Sequence, residues 1–129
     1  MSNSRGQSLV LFILILPVIL LIFVFLVDVA QAINLKFELK NISDIVIDYG
    51  LDYMSDGDLA TSLENYIKMN NDGIDKIKIN VENDKIYIEL NEKYEGILSS
   101  LVDIPIFDVK TSYVGYIIND EKRIENLGD

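Results

Sequence analysis

Nineteen consecutive apolar residues, Leu9–Val27, constrain this chain more than any other feature of its sequence. A helix of this length is about 28 Å long, close to the hydrocarbon thickness of a bilayer. It is apolar on every side, so lipid or protein must surround it. The rest of the 129-residue chain is too short to wrap such a rod. The sequence therefore predicts a transmembrane helix over residues 7–28.

A cleaved secretory signal is the competing interpretation of the same run. Ala30-Gln31-Ala32 has the form of a signal-peptidase site. However, the apolar core of a signal peptide usually has roughly 7–15 residues and follows a basic segment, and here only Arg5 precedes a longer run. We therefore favour a retained anchor.

The charges are unevenly distributed along the chain. Residues 1–35 carry only Arg5 and Asp28, whereas residues 36–129 carry ten bases and twenty acids, which gives the whole chain its net charge of -10. An acidic head argues against nucleic-acid binding, which needs a basic face. The absence of His and Cys removes the usual transition-metal ligands and nucleophile–base pairs. We therefore expect no enzyme activity, no cofactor, no metal and no small-molecule substrate.

The helical pattern continues beyond the apolar run. Apolar residues recur at spacings of three to five up to Tyr53, and no Pro or Gly occurs from Val18 to Tyr49. This predicts one helix from about residue 8 to about residue 54. The expected core-facing residues are Ile33, Phe37, Ile42, Ile45, Val46, Tyr49 and Tyr53.

A second helix is expected over 59–69, capped by the Asp58 carboxylate or by a box of Thr61 and Glu64. Acids at Asp52, Asp56 and Asp58 lack the spacing of a calcium loop, so a turn is the better interpretation.

Strict alternation of apolar and polar residues predicts a β-hairpin over 76–91. Its turn is expected at Asn83-Asp84, because both residue types tolerate positive φ. A helical turn at 96–102 and a strand at 108–118 follow, and the charged residues 119–129 are expected to form a loose tail. Six hairpin residues are predicted to face the core, namely Ile77, Ile79, Val81, Ile86, Ile88 and Leu90.

The N-terminal residues carry a family resemblance. Arg5-Gly6-Gln7-Ser8-Leu9-Val10, followed by Phe12, Leu16-Pro17 and Val27-Asp28, resembles the start of TadE/TadG-like pseudopilins. These proteins belong to the tight-adherence (Tad/Flp) pilus machinery, which is related to type IV pili. Leu39 and Asn41 also fit the family pattern, and the resemblance covers about 50 of the 129 residues.

This resemblance implies that a prepilin peptidase cuts after Gly6, so that Gln7 becomes the first mature residue. Arg5 would then belong to a basic leader, residues 1–6, on the cytoplasmic side, with residues 29–129 forming an extracytoplasmic head. The charges alone leave the orientation undecided, because Arg5 and the amino terminus on one side nearly balance Lys36 and Lys40 on the other. The implied fold class is α+β and pilin-like, with a long N-terminal helix packed on a small antiparallel β-sheet.

One position departs from the pilin pattern. Leu11 stands where pilins carry a Glu, five residues after the cut. A carboxylate inside a bilayer is costly and persists only with a function or a partner. Its absence suggests a minor subunit at the tip or at initiation.

Four residues are the expected features of the assembly helix, namely Leu11, Phe12, Pro17 and Asp28. Pro17 is expected to bend the anchor or to let it flex during assembly. Asp28 is expected to mark the lipid–water boundary in a solvated state, or to pair with a base on another helix.

Tyr87, Tyr113 and Tyr116 are expected to form a contact surface or to occupy half-buried sheet positions.

The function expected from these features is that of a minor pseudopilin in Tad/Flp pilus assembly at the cell envelope, with a role in adhesion. The partners would be the bilayer, other pilins or pseudopilins, Tad assembly proteins and a prepilin peptidase. The alternative is a single-pass, membrane-anchored extracellular interaction domain that is not part of a pilus.

Overall fold

The computed structural model describes residues 2–55, 57–102 and 107–128. It confirms an α+β arrangement in which one long N-terminal helix packs on a small antiparallel sheet. The elements are α1 (Ser2–Asp52), α2 (Leu59–Asn70), β1 (Lys76–Glu82), β2 (Lys85–Tyr94), α3 (Ile97–Val102), β3 (Phe107–Ile118) and β4 (Glu121–Asn126).

The long helix α1 runs without interruption from Ser2 to Asp52 and includes Pro17. Its first half is the apolar run, and its second half is the central element of the head, packed on β2 and β3. The expectation of a single helix that joins the two halves is confirmed. No loop separates the apolar rod from the folded domain.

The sheet is a four-stranded antiparallel meander in the order β1-β2-β3-β4. Its first turn is at Asn83 and Asp84, whose φ angles of 53° and 61° are the left-handed values of a two-residue hairpin turn. The predicted hairpin is therefore confirmed, turn residues included.

The expectation of a loose tail after residue 118 is wrong. A second Asn-Asp pair, Asn119-Asp120, adopts φ angles of 54° and 63° and folds the chain back into β4. On β4, Lys122 Nζ bridges the carboxylates of Asp48 and Asp52 at 3.0 and 2.8 Å. These ion pairs attach β4 to the C-terminal end of α1.

The core lies between α1, α2 and one face of the sheet. The strand β2 contributes Ile86, Ile88 and Leu90, all fully buried. The other three hairpin residues also pack against this core, as expected, but are only partly buried because β1 is an edge strand that α1 does not cover. The buried apolar residues of the helices include Leu39, Val46, Ile47 and Leu51 of α1, and Leu59, Leu63 and Ile67 of α2.

The expected core face of α1 is mostly wrong. Of the seven predicted residues only Val46 is buried and Ile42 partly so, whereas Ile33, Phe37, Ile45, Tyr49 and Tyr53 are exposed. The buried side of α1 instead combines large apolar residues with small and polar ones. Its members include Asp28, Ala32, Leu39, Ser43, Val46 and Gly50.

The start of α2 also differs from expectation. Asp58 is the N-cap residue, but its side chain makes no capping hydrogen bond. The first turn is closed by the backbone, where the Ser62 N–H donates to the Asp58 carbonyl at 3.1 Å.

At Gly115 on β3, α1 packs directly against the backbone of the sheet. A Cβ at this position would overlap Cγ2 of Ile47 on α1. Gly115→Ala should therefore destabilise the head by about 1–3 kcal/mol through overpacking. Urea unfolding of the full chain in detergent micelles measures this loss. Gly57→Ala is the matched control, since a Cβ at Gly57 meets nothing within 4 Å; equal unfolding midpoints for both variants would contradict this packing.

Glu92 is an acid in the row of β2 side chains that faces the helices. Burial raises its pKa, and the nearby charges of Glu38 and Asp75 raise it further, whereas a hydrogen bond with Asn71 lowers it. Because the folded state prefers the protonated form, this carboxyl favours folding at low pH, and that contribution is lost as the pH rises through its raised pKa.

Glu92→Gln should therefore raise the urea midpoint at pH 7. Its advantage over the unmodified chain should shrink on acidification and vanish below the ordinary carboxyl pKa of 4.5. Unfolding at a series of pH values tests this, with Glu95→Gln as an exposed control that removes the same charge. A pH-independent difference would show that burial of Glu92 is not the cause.

Candidate functional site

The apolar half of α1 is bare, in the sense that the rest of the described chain covers almost none of its surface. The helix from Arg5 to Asp52 is long and apolar enough to cross a membrane, and its most apolar 18-residue window has none of its residues buried against other parts of the described chain. Large side chains along it, such as Phe23, are more than half exposed. An uncovered apolar cylinder of this length requires a surrounding that is itself apolar.

The predicted processing residues lie in the first turns of this helix. Arg5, Gly6 and Gln7 are exposed, and a Cβ at Gly6 would meet nothing within 4 Å. Leu11 and Phe12 follow on the bare surface. The structure does not bring these residues against the head, so cleavage after Gly6 stays a prediction.

Asp28 is the one predicted residue that the fold brings into a defined site. Its side chain is fully buried. Oδ1 accepts a hydrogen bond from the Ile97 N–H at 2.8 Å, and Oδ2 accepts one from the Leu98 N–H at 3.0 Å. The carboxylate therefore caps the start of α3, and the expectation that it is solvated at the membrane edge is wrong. Backbone amides of the head have taken the place of water.

Gly96 makes this approach possible. A Cβ at Gly96 would overlap the carboxylate group of Asp28, so a larger residue would push α3 away from α1. Gly96 also has no side chain with which to cap α3, so the first amides of that helix need an acceptor from elsewhere in the chain. In the sequence, a glycine before the short apolar segment is compatible with such a contact but does not identify Asp28 as the acceptor.

A second contact fixes the same junction from the sheet side. The ring of Phe25, one turn before Asp28, lies 6.4 Å from the ring of Phe107 at the start of β3. Phe107 in turn lies 6.2 Å from Tyr94 at the end of β2. The end of β2, the start of β3 and the helix α3 therefore all lie next to the point where the apolar run of α1 ends.

The predicted tyrosine surface is only partly present. Tyr113 is buried in the core, contrary to that interpretation, whereas Tyr87 and Tyr116 are half-buried on the outer face of the sheet. There, the Tyr116 hydroxyl donates to Glu125 at 2.6 Å, and Lys85 Nζ lies 5.4 Å from the ring centroid. These are ordinary contacts of a solvated sheet face.

The described residues contain no group of three or more His, Cys, Asp or Glu side chains arranged to hold a metal ion. No protein-family model, curated protein or solved structure matches the chain. The candidate functional site is therefore defined by geometry: the bare apolar helix and the junction at which Asp28 joins it to the head.

Asp28→Ala should leave two partly buried amides without their acceptor and destabilise the head by on the order of 2 kcal/mol. Asp28→Asn should lose less, because its amide oxygen still accepts one hydrogen bond. Urea unfolding in micelles, together with amide exchange at Ile97 and Leu98, measures both effects. Asp72→Ala removes an exposed acid and serves as the control; amide exchange that Asp28→Ala leaves unchanged would refute the cap.

Proposed function

We propose that this chain is a single-pass membrane protein of the TadE/TadG-like pseudopilin class. It would take part in assembly or initiation of a tight-adherence pilus, or of a related secretion system, at the cell envelope. The observation that supports this most is that α1 is at once the bare apolar rod and the central helix of the head. The N-terminal resemblance, from Arg5 to Asp28, supplies the family.

In this proposal the mechanism is assembly. The apolar half of α1 stores the subunit in the membrane. The same surface then packs against helices of neighbouring pilins, exchanging lipid contacts for helix contacts through close van der Waals packing. Because α1 is continuous and Asp28 fixes the head at the end of the span, any movement of the span carries the head with it.

The orientation in this proposal follows from the resemblance. The leader with Arg5 lies in the cytoplasm, and the acidic head lies outside. A prepilin peptidase would then meet Gly6 and Gln7 at the cytoplasmic face of the membrane.

The junction supports a retained helix over a cleaved secretory signal. A cut after Ala32 would remove Asp28 from the head and leave the amides of Ile97 and Leu98 without their acceptors. It would also remove the core residue Ala32 itself. A chain built to lose this segment would have no use for a cap between residues 28 and 97.

The alternative is a membrane-anchored extracellular interaction domain in which α1 is a plain tether. Leu11 favours it, since the carboxylate common among pilins is missing. The absence of any flexible linker between span and head weighs against it, because a tether gains reach from a flexible joint.

The intact mass of the full chain, expressed with and without a cognate prepilin peptidase, tests the proposal. We expect a peptidase-dependent product that begins at Gln7. Gly6→Val should abolish this cut, because the leader resemblance ends in that Gly, whereas Gly57→Val in the head should leave it intact.

Other products would contradict the proposal in different ways. A start after Ala32 would indicate a secreted acidic domain. An uncut chain in the presence of an active peptidase would favour the tether, and co-purification of the full chain with pilus-assembly proteins would then decide between a tether and an unprocessed pilus component.

A further inference from the structure

We propose that α3 lies in the interfacial layer of the bilayer, so that the head binds the lipid surface directly through the face that carries Ile97 and Leu101. This inference rests on the proposed membrane span and on no other part of the proposed function. The occupant of this face is lipid, at the boundary between headgroups and acyl chains.

The first step concerns the level of α3 along α1. Asp28 is the first residue after the apolar run, and its carboxylate holds the amides of Ile97 and Leu98. The Phe25–Phe107 contact lies one turn further toward the membrane. If residues 9–27 fill the hydrocarbon layer, α3 lies at its edge. Interfacial helices place their apolar face about 5–10 Å into this boundary, which is no more than about one helix diameter.

The second step concerns which side chains α3 exposes. Leu101 is 70% exposed and Ile97 is 48% exposed, and their four-residue spacing puts them on one face. The polar residue Ser99 is instead buried against the head. This arrangement is the reverse of a surface helix in water, where apolar side chains turn inward.

The third step concerns the polar groups of α3. The segment Ile97–Val102 contains no charged residue, although a quarter of the chain is charged. The Ser99 hydroxyl donates to the Gly96 carbonyl at 2.9 Å, and the Ser100 hydroxyl donates to the Ile97 carbonyl at 2.7 Å. Asp28 caps the amides of Ile97 and Leu98, so these polar groups are paired without water, as a partly apolar surrounding requires.

Depth-dependent quenching of single tryptophans tests the inference. The chain contains no Trp, so each introduced Trp reports one position. The full-length variants are Leu21→Trp in the span, Leu101→Trp on α3, and Ile118→Trp at the far end of β3. Ile118 is 48% exposed and lies at the level of Lys122 and Asp52, about 36 Å along α1 from Asp28.

Each variant is reconstituted into phosphatidylcholine vesicles with and without lipid brominated on the acyl chains. We expect brominated lipid to quench Leu101→Trp to an extent comparable with Leu21→Trp, with emission shifted to the blue. It should leave Ile118→Trp unquenched.

The possible failures are distinguishable. If Leu21→Trp is quenched and Leu101→Trp is not, the membrane span stands and the inference falls. If Leu101→Trp is blue-shifted without quenching, a second copy of the chain or another protein surface covers α3, which also overturns it. If Leu21→Trp itself is unquenched, the span and the inference both fall.

A second reporter removes the preference of Trp for membrane interfaces. The chain contains no Cys, so Leu101→Cys and Ile118→Cys each provide one thiol. A membrane-impermeant maleimide, applied to vesicles with the head outward, should react much more slowly at Leu101→Cys than at Ile118→Cys. Equal rates would overturn the inference.

Discussion

The two hydrogen bonds that Asp28 accepts from α3 determine how the rest of the structure is arranged on α1. A carboxylate directly after nineteen apolar residues could remain in water at little cost, but here it is buried. Burial of a charged group is tolerable only when its hydrogen-bonding capacity is met. The amides of α3 meet it, and α3 in turn gains an acceptor that its own Gly96 cannot supply. The contact gives the carboxylate two donors and gives α3 an acceptor, although the residues are 69 positions apart in the chain.

This contact also helps to fix the rotation of α1 within the head. Large apolar side chains surround the helix near the junction, so hydrophobicity alone does not select which side packs on the sheet. Asp28 directs one side of α1 toward the head near the end of the apolar run. Gly50 lies on the same side near the C-terminal end of α1, where a Cβ would press on Ile86 and Leu63. Between them, residues 32, 35, 39, 42 and 46 follow at alternating spacings of four and three, which keep one side of a helix toward the sheet.

The difference between expectation and structure follows from this choice of face. The long helix, the second helix, the hairpin and the third strand were predictable, because periodicity and turn residues signal each of them locally. The face of α1 was not predictable from apolar side chains, since Phe37 and Tyr49 are more hydrophobic than Ser43 and Gly50 and yet are exposed, whereas Ser43 and Gly50 are buried. β4 was recoverable, because Asn119-Asp120 repeats the turn signal of Asn83-Asp84. The Asp28 cap was not, since it joins residues far apart in sequence.

Under the proposed pseudopilin function, the junction has a mechanical consequence for the exit of the subunit from the bilayer. Because α1 carries no flexible joint, withdrawing the proposed span would also lift α3 from the lipid interface in which we propose that it lies. Moving a whole aliphatic side chain of this size into water costs about 1.5–3 kcal/mol. Ile97 and Leu101 are 48% and 70% exposed, so together they present little more than one side chain to lipid and would oppose withdrawal by about 2–4 kcal/mol unless another apolar surface received them. A span that leaves the bilayer without a partner would not require an exposed apolar face on α3. The arrangement therefore suits a subunit that leaves the membrane only when a neighbouring subunit replaces the lipid contacts of both the helix and the head.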